Sequence, residues 1–161
     1  MSKQKAIICD LDGCLFDHSE YDKYIPAENT PQAWAQYHKD VNNYANMPVN
    51  YEISDLIYSY FKKGYSVIFL TAREALGINH KNTWFALKTL FNSWDILLFM
   101  RPTGCTLPPE QIKELIYLEI IKNEYDIELV IDDSKTIIEM FKWHGLKTVH
   151  YKKGQEILEA V

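Results

Sequence analysis

Short apolar runs alternate along the chain with longer amphipathic stretches. Ala6-Ile7-Ile8-Cys9 ends at Asp10, Tyr65-Ser66-Val67-Ile68-Phe69-Leu70 ends at Thr71, and Ile127-Glu128-Leu129-Val130-Ile131 ends at Asp132. Asp95 to Met100 and Leu146 to His150 form two further runs. Runs this short and this continuous fit strands buried on both faces of a parallel sheet. Between them the apolar period changes to that of a helix. Tyr51 to Lys63 carries Ile53, Leu56, Ile57, Tyr60 and Phe61 and stops at Gly64. Asn82 to Phe91 carries Trp84, Leu87, Leu90 and Phe91 on a stripe. Pro108-Pro109 opens a third helix with Ile112, Leu115, Ile116 and Ile120 on one face, and Ser134 to His144 is a fourth, closed by Gly145. Strand-helix alternation predicts an α/β fold, a Rossmann-like doubly wound parallel sheet with helices on both faces.

One stretch breaks the rhythm. Asp17 to Asn50 is polar, holds Pro26, Pro31 and Pro48, and carries one short helical pattern around Gln32 to Asn43. Inserted just after the first strand, residues 17–50 would lie over the strand ends as a small cap, or form a surface excursion without substrate contact. The 161 residues suit a single domain spanning 1–161. Hydrophobic residues make up 47%, and no stretch approaches the roughly 20 apolar residues of a membrane span. Met1 to Lys5 enters the first strand without a signal-peptide pattern, and the three cysteines have no metal-type spacing, which together predict a cytoplasmic protein with reduced thiols. A net charge of -5 argues against a strong non-specific grip on long nucleic acid, but not against a small phosphorylated substrate or a strand end.

Ligands of open α/β sheets bind outside the carboxyl ends of the strands. Asp10-Leu11-Asp12-Gly13 follows the first strand, Thr71-Ala72-Arg73 the second, and Asp132-Asp133-Ser134 the fourth, with Lys113 on the helix before that fourth strand. Four carboxylates gathered at one sheet edge call for a partner, because unpaired buried charge is costly. A divalent cation with a taste for hard oxygens, Mg2+, answers that need.

These residues resemble the four motifs of the haloacid dehalogenase superfamily of phosphotransferases, in order: Asp10-x-Asp12-Gly13, a strand ending in Thr71, Lys113, and Asp132-Asp133. The resemblance spans residue 6 to about 150. It implies a magnesium-dependent phosphatase with Asp10 as covalent nucleophile, Asp12 as general acid and then base, and Thr71 and Lys113 on the phosphoryl oxygens. It also implies a metal held by Asp10, the Asp12 carbonyl and the Asp132-Asp133 pair, with Asp133 as direct ligand and Asp132 in support. The first strand is expected at the centre, flanked by the second and fourth. Cys14 stands where many members have threonine, which keeps the backbone amide and loses a hydroxyl.

A narrower similarity is to the 3′-phosphatase domain of phage polynucleotide kinase-phosphatase. It rests on Phe69-Leu70-Thr71-Ala72-Arg73-Glu74, on Met100-Arg101-Pro102, and on Val130 to Ser134 followed by Ile138 to Leu146. By this resemblance Arg73 and Arg101 are candidates for binding substrate phosphate or nucleotide. The substrate is then a nucleic-acid 3′-phosphate end; a 5′(3′)-deoxyribonucleotidase acting on free nucleotides and a non-catalytic binding module on the same fold are the alternatives. No Gly-x-x-x-x-Gly-Lys-Ser/Thr loop occurs in the chain, so a phosphatase without a kinase domain is expected. Trp34, Tyr37 and Tyr44 read as a packed helical face before they read as base-stacking residues. The basic set Lys142, His144, Lys147, His150, Lys152 and Lys153 reads as solvated surface before it reads as a nucleic-acid contact.

Overall fold

The computed structural model describes residues 2–40, 47–92 and 94–154. Five strands form one sheet: β1 (Gln4–Cys9), β2 (Ser66–Glu74), β3 (Ile96–Arg101), β4 (Tyr125–Asp132) and β5 (Thr148–His150). All pairings are parallel, in the order β3-β2-β1-β4-β5, with β1 at the centre as expected. Side chains alternate across the sheet, so each strand feeds two cores. Ile7, Cys9, Val67, Phe69, Leu129 and Ile131 face α2 (Tyr51–Lys62) and α3 (Asn79–Phe91). Ala6, Ile8, Ile68, Leu70 and Val130 face α4 (Pro109–Ile116) and α6 (Lys135–Trp143). Both faces of the inner strands are thus covered, which is why their sequences are apolar without alternation.

Several boundaries and faces differ from the sequence reading. β2 does not stop at Thr71 but runs on to Glu74, with a register shift against β3 between those two residues. α3 starts at Asn79, and its buried side is Thr83, Ala86, Leu87 and Phe91, with Trp84 turned outward. After α4 the chain makes a π-helical turn, Tyr117–Ile121, and closes with the short α5 (Lys122–Glu124). A π turn adds one residue to the helical repeat. Ile120, expected inside, is therefore 40% exposed and Ile121 takes its place. Leu115, which precedes the turn and was also expected inside, is 40% exposed because α4 buries the face of Ile112, Lys113 and Ile116.

The insert is rooted rather than loosely attached. Phe16 and Val49 form an antiparallel bridge, Asp17 N donates to Pro48 O at 2.7 Å, and Asn50 N donates to Leu15 O at 2.8 Å. Asn50 Nδ2 also donates to Cys14 O at 2.7 Å, tying the end of the insert to the loop after β1. Beyond the bridge lie a 3-10 turn, Ser19–Tyr24, and α1 (Pro31–Asp40). Trp34 and Tyr37 meet edge-on at 5.3 Å, with Tyr37 buried, a packed aromatic face. The expected end of this helix at Asn43, and Tyr44, lie outside the described residues. Among the described residues no helix is long and apolar enough to cross a membrane.

Candidate active site

The end of β1 sets the first carboxylate. Asp10 N donates to Ile131 O at 3.0 Å, extending the β1–β4 ladder by one bond and bringing Asp10 level with Asp132. The chain then turns at once: Cys14 N donates to Leu11 O at 3.1 Å and Gly13 N to Phe16 O at 2.9 Å. Gly13 has φ of 78°, and a Cβ built on it would lie 2.2 Å from Asp133 Oδ2. Glycine is required there both for the left-handed backbone and for the close approach of Asp133.

Lys113 is 2% exposed and reaches the sheet edge from α4. Its Nζ donates to Asp10 Oδ1 at 2.9 Å and to Asp132 Oδ2 at 2.7 Å. The other Asp132 oxygen accepts from Ser134 N at 2.9 Å, so both oxygens of Asp132 are engaged within the protein. Asp133 is exposed, and His150 Nε2 donates to its backbone carbonyl at 2.9 Å. One carboxylate oxygen from each of Asp10, Asp132 and Asp133 falls within 4.8 Å of the others.

Three carboxylates against one ammonium leave this corner with excess negative charge, and the proton affinities register it. Burial first, then repulsion from Asp132, push the Asp10 carboxyl well above the usual range despite Lys113. Asp133, exposed as a residue but with its carboxyl packed against Gly13, is pushed up by partial loss of water around that carboxyl and by Asp132. Burial alone would lower Lys113, but the carboxylates of Asp10 and Asp132 outweigh it and hold its ammonium above the ordinary lysine value. Hard oxygen donors with uncompensated charge fit a divalent cation such as magnesium.

Asp12 leaves this cluster for a different partner. Arg73 grips it as a fork, Nε to Oδ2 at 2.9 Å and Nη2 to Oδ1 at 2.6 Å. Burial would raise the Asp12 carboxyl, but the Arg73 charge and hydrogen bonds more than offset it, and the net shift is downward. Arg73 is itself 1% exposed: Nη1 donates to Thr83 Oγ1 at 3.0 Å, Nη2 lies 3.4 Å from Met47 Sδ, and the guanidinium sits 5.4 Å from the Phe16 ring centre. Thr71 is buried beside the cluster, and its Oγ1 accepts from Arg73 N at 3.1 Å.

Arg101 is buried and engaged by backbone carbonyls. It donates to the carbonyls of Ala72 at 3.0 Å and Cys105 at 3.3 Å, and to that of Leu107, and so holds the loop after β3. Cys14 is fully buried with its sulfur 3.9 Å from that of Cys9, and burial pushes its thiol upward, so it stays neutral. Thr83 and Met47 were not singled out from sequence. A threonine on the inward stripe of α3 was the available signal for Thr83; nothing in the sequence pointed Met47 toward Arg73.

A family model for the polynucleotide kinase PNKP phosphatase domain matches residues 4–155. The chain belongs to that family. It is a phosphatase of the haloacid dehalogenase superfamily. Among solved structures, a chain of the Pnkp1/Rnl/Hen1 complex matches with a TM-score of 0.76 at 26% identity, over 96% of this chain and 48% of its own. A chain of the Pnkp1/Rnl/Hen1 RNA repair complex matches with a TM-score of 0.76 at 25% identity, over 96% and 44%. This PNKP-type domain thus spans about half the length of those chains. A hydrolase from Streptococcus pneumoniae TIGR4 shares the fold at 17% identity, with a TM-score of 0.55 over 94% of each chain. A comparison with curated proteins finds no match.

Proposed function

We propose that this phosphatase is magnesium-dependent, works through an aspartyl-phosphate on Asp10, and removes phosphate from nucleic-acid 3′ ends. The observation that carries the reaction is the trio Asp10, Asp132 and Asp133 with Lys113 as its cation. The family match over residues 4–155 and the likeness to a chain of an RNA repair complex support the substrate class.

Asp10, the backbone carbonyl of Asp12 and Asp133 are the proposed ligands. Asp132, with both oxygens already engaged, supports Lys113 and orients the turn. Magnesium held there supplies positive charge against the repulsion between an anionic nucleophile and an anionic substrate. An Asp10 oxygen forms a bond to phosphorus as the bond to the leaving oxygen breaks, and Asp12 gives that oxygen its proton. Water then attacks phosphorus and passes a proton to Asp12; the Asp10–phosphorus link breaks and inorganic phosphate leaves. Thr71 Oγ1 accepts from Arg73 N, which leaves its own proton for a phosphoryl oxygen. Lys113 offsets charge on the same group. The Arg73 pairing keeps Asp12 a carboxylate in the substrate-free protein, the form the water step needs. A phosphoryl dianion drawn up beside Asp12 raises its proton affinity for the first step.

The test is phosphate release with magnesium from an oligonucleotide 3′-phosphate and from deoxynucleoside monophosphates at matched concentration, with Asp10→Asn as control. Faster release from the oligonucleotide is expected. A preference for mononucleotides would make the enzyme a 5′(3′)-deoxyribonucleotidase, and undiminished turnover by Asp10→Asn would remove the covalent mechanism.

A further inference from the structure

We infer that Thr83 and Arg73 are positioning residues that aim the Asp12 carboxyl at the leaving oxygen, and that Arg73 is not a ligand of the substrate phosphate. The inference rests on the reaction proposed above and assigns roles to two residues within it.

Three observations carry it. The guanidinium spends its fork on Asp12, with both carboxylate oxygens held at 2.6 and 2.9 Å. Such a bidentate pair fixes the plane of the carboxylate as well as its place, which a single hydrogen bond does not. The arginine is then held from behind and beside: Thr83 Oγ1 accepts Nη1, Phe16 lies under the guanidinium, and Met47 sulfur caps Nη2. Finally, Thr83 is 0% exposed on α3, an element that supplies no motif residue, so its hydroxyl has no route to solvent or substrate and acts through Arg73. Phe16 and Met47 come from the two ends of the insert, and the bridge between Phe16 and Val49 fixes those ends together. The root of the insert is therefore one wall of the Arg73 cradle, and Thr83 on α3 is the opposite one.

The chemistry gives a sharp readout. Asp12 matters most when the leaving oxygen is a poor one that must be protonated, as in a sugar 3′-phosphate. In that transfer step it matters little when the leaving group is p-nitrophenolate, which departs as an anion; the later water step, which also uses Asp12, is common to both esters and does not enter kcat/KM. A residue that aims Asp12 should share that selectivity in kcat/KM, whereas a phosphate ligand should lower kcat/KM on both esters.

The experiment measures kcat and KM of wild type, Thr83→Val, Thr83→Ser and Arg73→Lys on a 3′-phosphorylated oligonucleotide and on p-nitrophenyl phosphate, with thermal melting of each variant. Thr83→Val keeps the volume and removes the acceptor for Nη1. It is expected to lower kcat/KM on the oligonucleotide about tenfold or more, since small misplacements of a catalytic group are costly. On p-nitrophenyl phosphate kcat/KM should fall less than about threefold, because that leaving group needs no proton from Asp12. Thr83→Ser restores the acceptor and the rate. Arg73→Lys keeps the charge and loses the fork, so it should repeat the Thr83→Val pattern. Equal loss of kcat/KM on both esters, or a Thr83→Ser no better than Thr83→Val, would each overturn the assignment. A wild type that prefers mononucleotides would refute the 3′-end reading alone; a mononucleotide also has a poor leaving group, so the same comparison on it still decides the roles of Thr83 and Arg73.

Discussion

Replacing Lys113 with methionine removes the cation of the site while keeping most of the side-chain volume. In the native protein its side chain is 2% exposed and its ammonium lies 2.9 Å from Asp10 and 2.7 Å from Asp132, whose side chains are 9% and 2% exposed. Without Lys113 the folded protein buries two neighbouring carboxylates with no counter-charge. Removing one partner of a buried pair costs about 3–5 kcal/mol. For a chain of this size each kcal/mol moves Tm by about 2–4 °C, so a fall of roughly 6–20 °C is expected. The assay is calorimetry of both proteins in chelator at several pH values, followed by repetition in magnesium.

The pH arm has a definite sign. The folded Lys113 ammonium is held above its ordinary value, so the wild-type contribution is present throughout the range below about pH 10 and is lost only above it. In Lys113→Met the penalty belongs to the carboxylates. Asp10 already holds its proton more tightly folded than unfolded, and loss of the lysine strengthens that. The Tm gap between variant and wild type should therefore shrink as pH falls from 8 toward 5 and the buried Asp10 carboxyl takes up a proton. Magnesium should narrow it as well, by returning positive charge to the corner. A fall of less than about 2 °C at neutral pH in chelator, or a gap that stays constant with pH, would refute the view of Lys113 as the counter-ion of this site.

Three other outcomes are expected. Gly13→Ala places a methyl 2.2 Å from Asp133 Oδ2 on a backbone with φ of 78°, which costs about 1–2 kcal/mol in strain alone; magnesium titrated by its effect on Tm should bind more weakly, and unchanged binding would mean that Asp133 is not a ligand. Asp10→Asn removes a carboxylate disfavoured first by burial and then by repulsion from Asp132, so in chelator at neutral pH its Tm should equal or exceed that of wild type while phosphate release falls to background; a clear drop in Tm would contradict the charge excess at this corner. Arg101→Ala leaves the carbonyls of Ala72, Cys105 and Leu107 without their donor, at about 1–3 kcal/mol by denaturant melting; KM should be unchanged in the folded fraction, and a large rise in KM would return Arg101 to the substrate.

Much of this protein is legible in its sequence because its strands lie in the middle of a doubly covered sheet. Burial on both faces forces continuous apolar runs, and each run gives way to polar residues at the sheet edge, at Asp10, Thr71 and Asp132, although these are themselves buried and β2 continues to Glu74. Parallel topology fixes which end of every strand faces the site, so Asp10, Thr71 and the Asp132-Asp133 pair could be placed at one edge, whereas Lys113, on a helix, was picked out by the motif order of the family it resembles. Helix faces were less legible. A single added residue in the π turn at Tyr117–Ile121 moves Ile120 outward, and periodicity cannot anticipate a change of period.

What only the tertiary structure decided is where each charge finds its partner. Arg73 and Arg101 look alike in sequence, each just past an apolar run. Folding gives one to the carboxylate of Asp12 and the other to backbone carbonyls, because the fate of a guanidinium depends on which acceptors the folded chain brings within about 3 Å of it. The same holds for Thr83, Met47 and Phe16, which meet at Arg73 from three separate segments. Sequence periodicity records local structure and burial, and so determined the sheet and the residues at its edge. Pair contacts are long-range, and only the closed fold determined which of those residues bind one another and which remain open to a ligand.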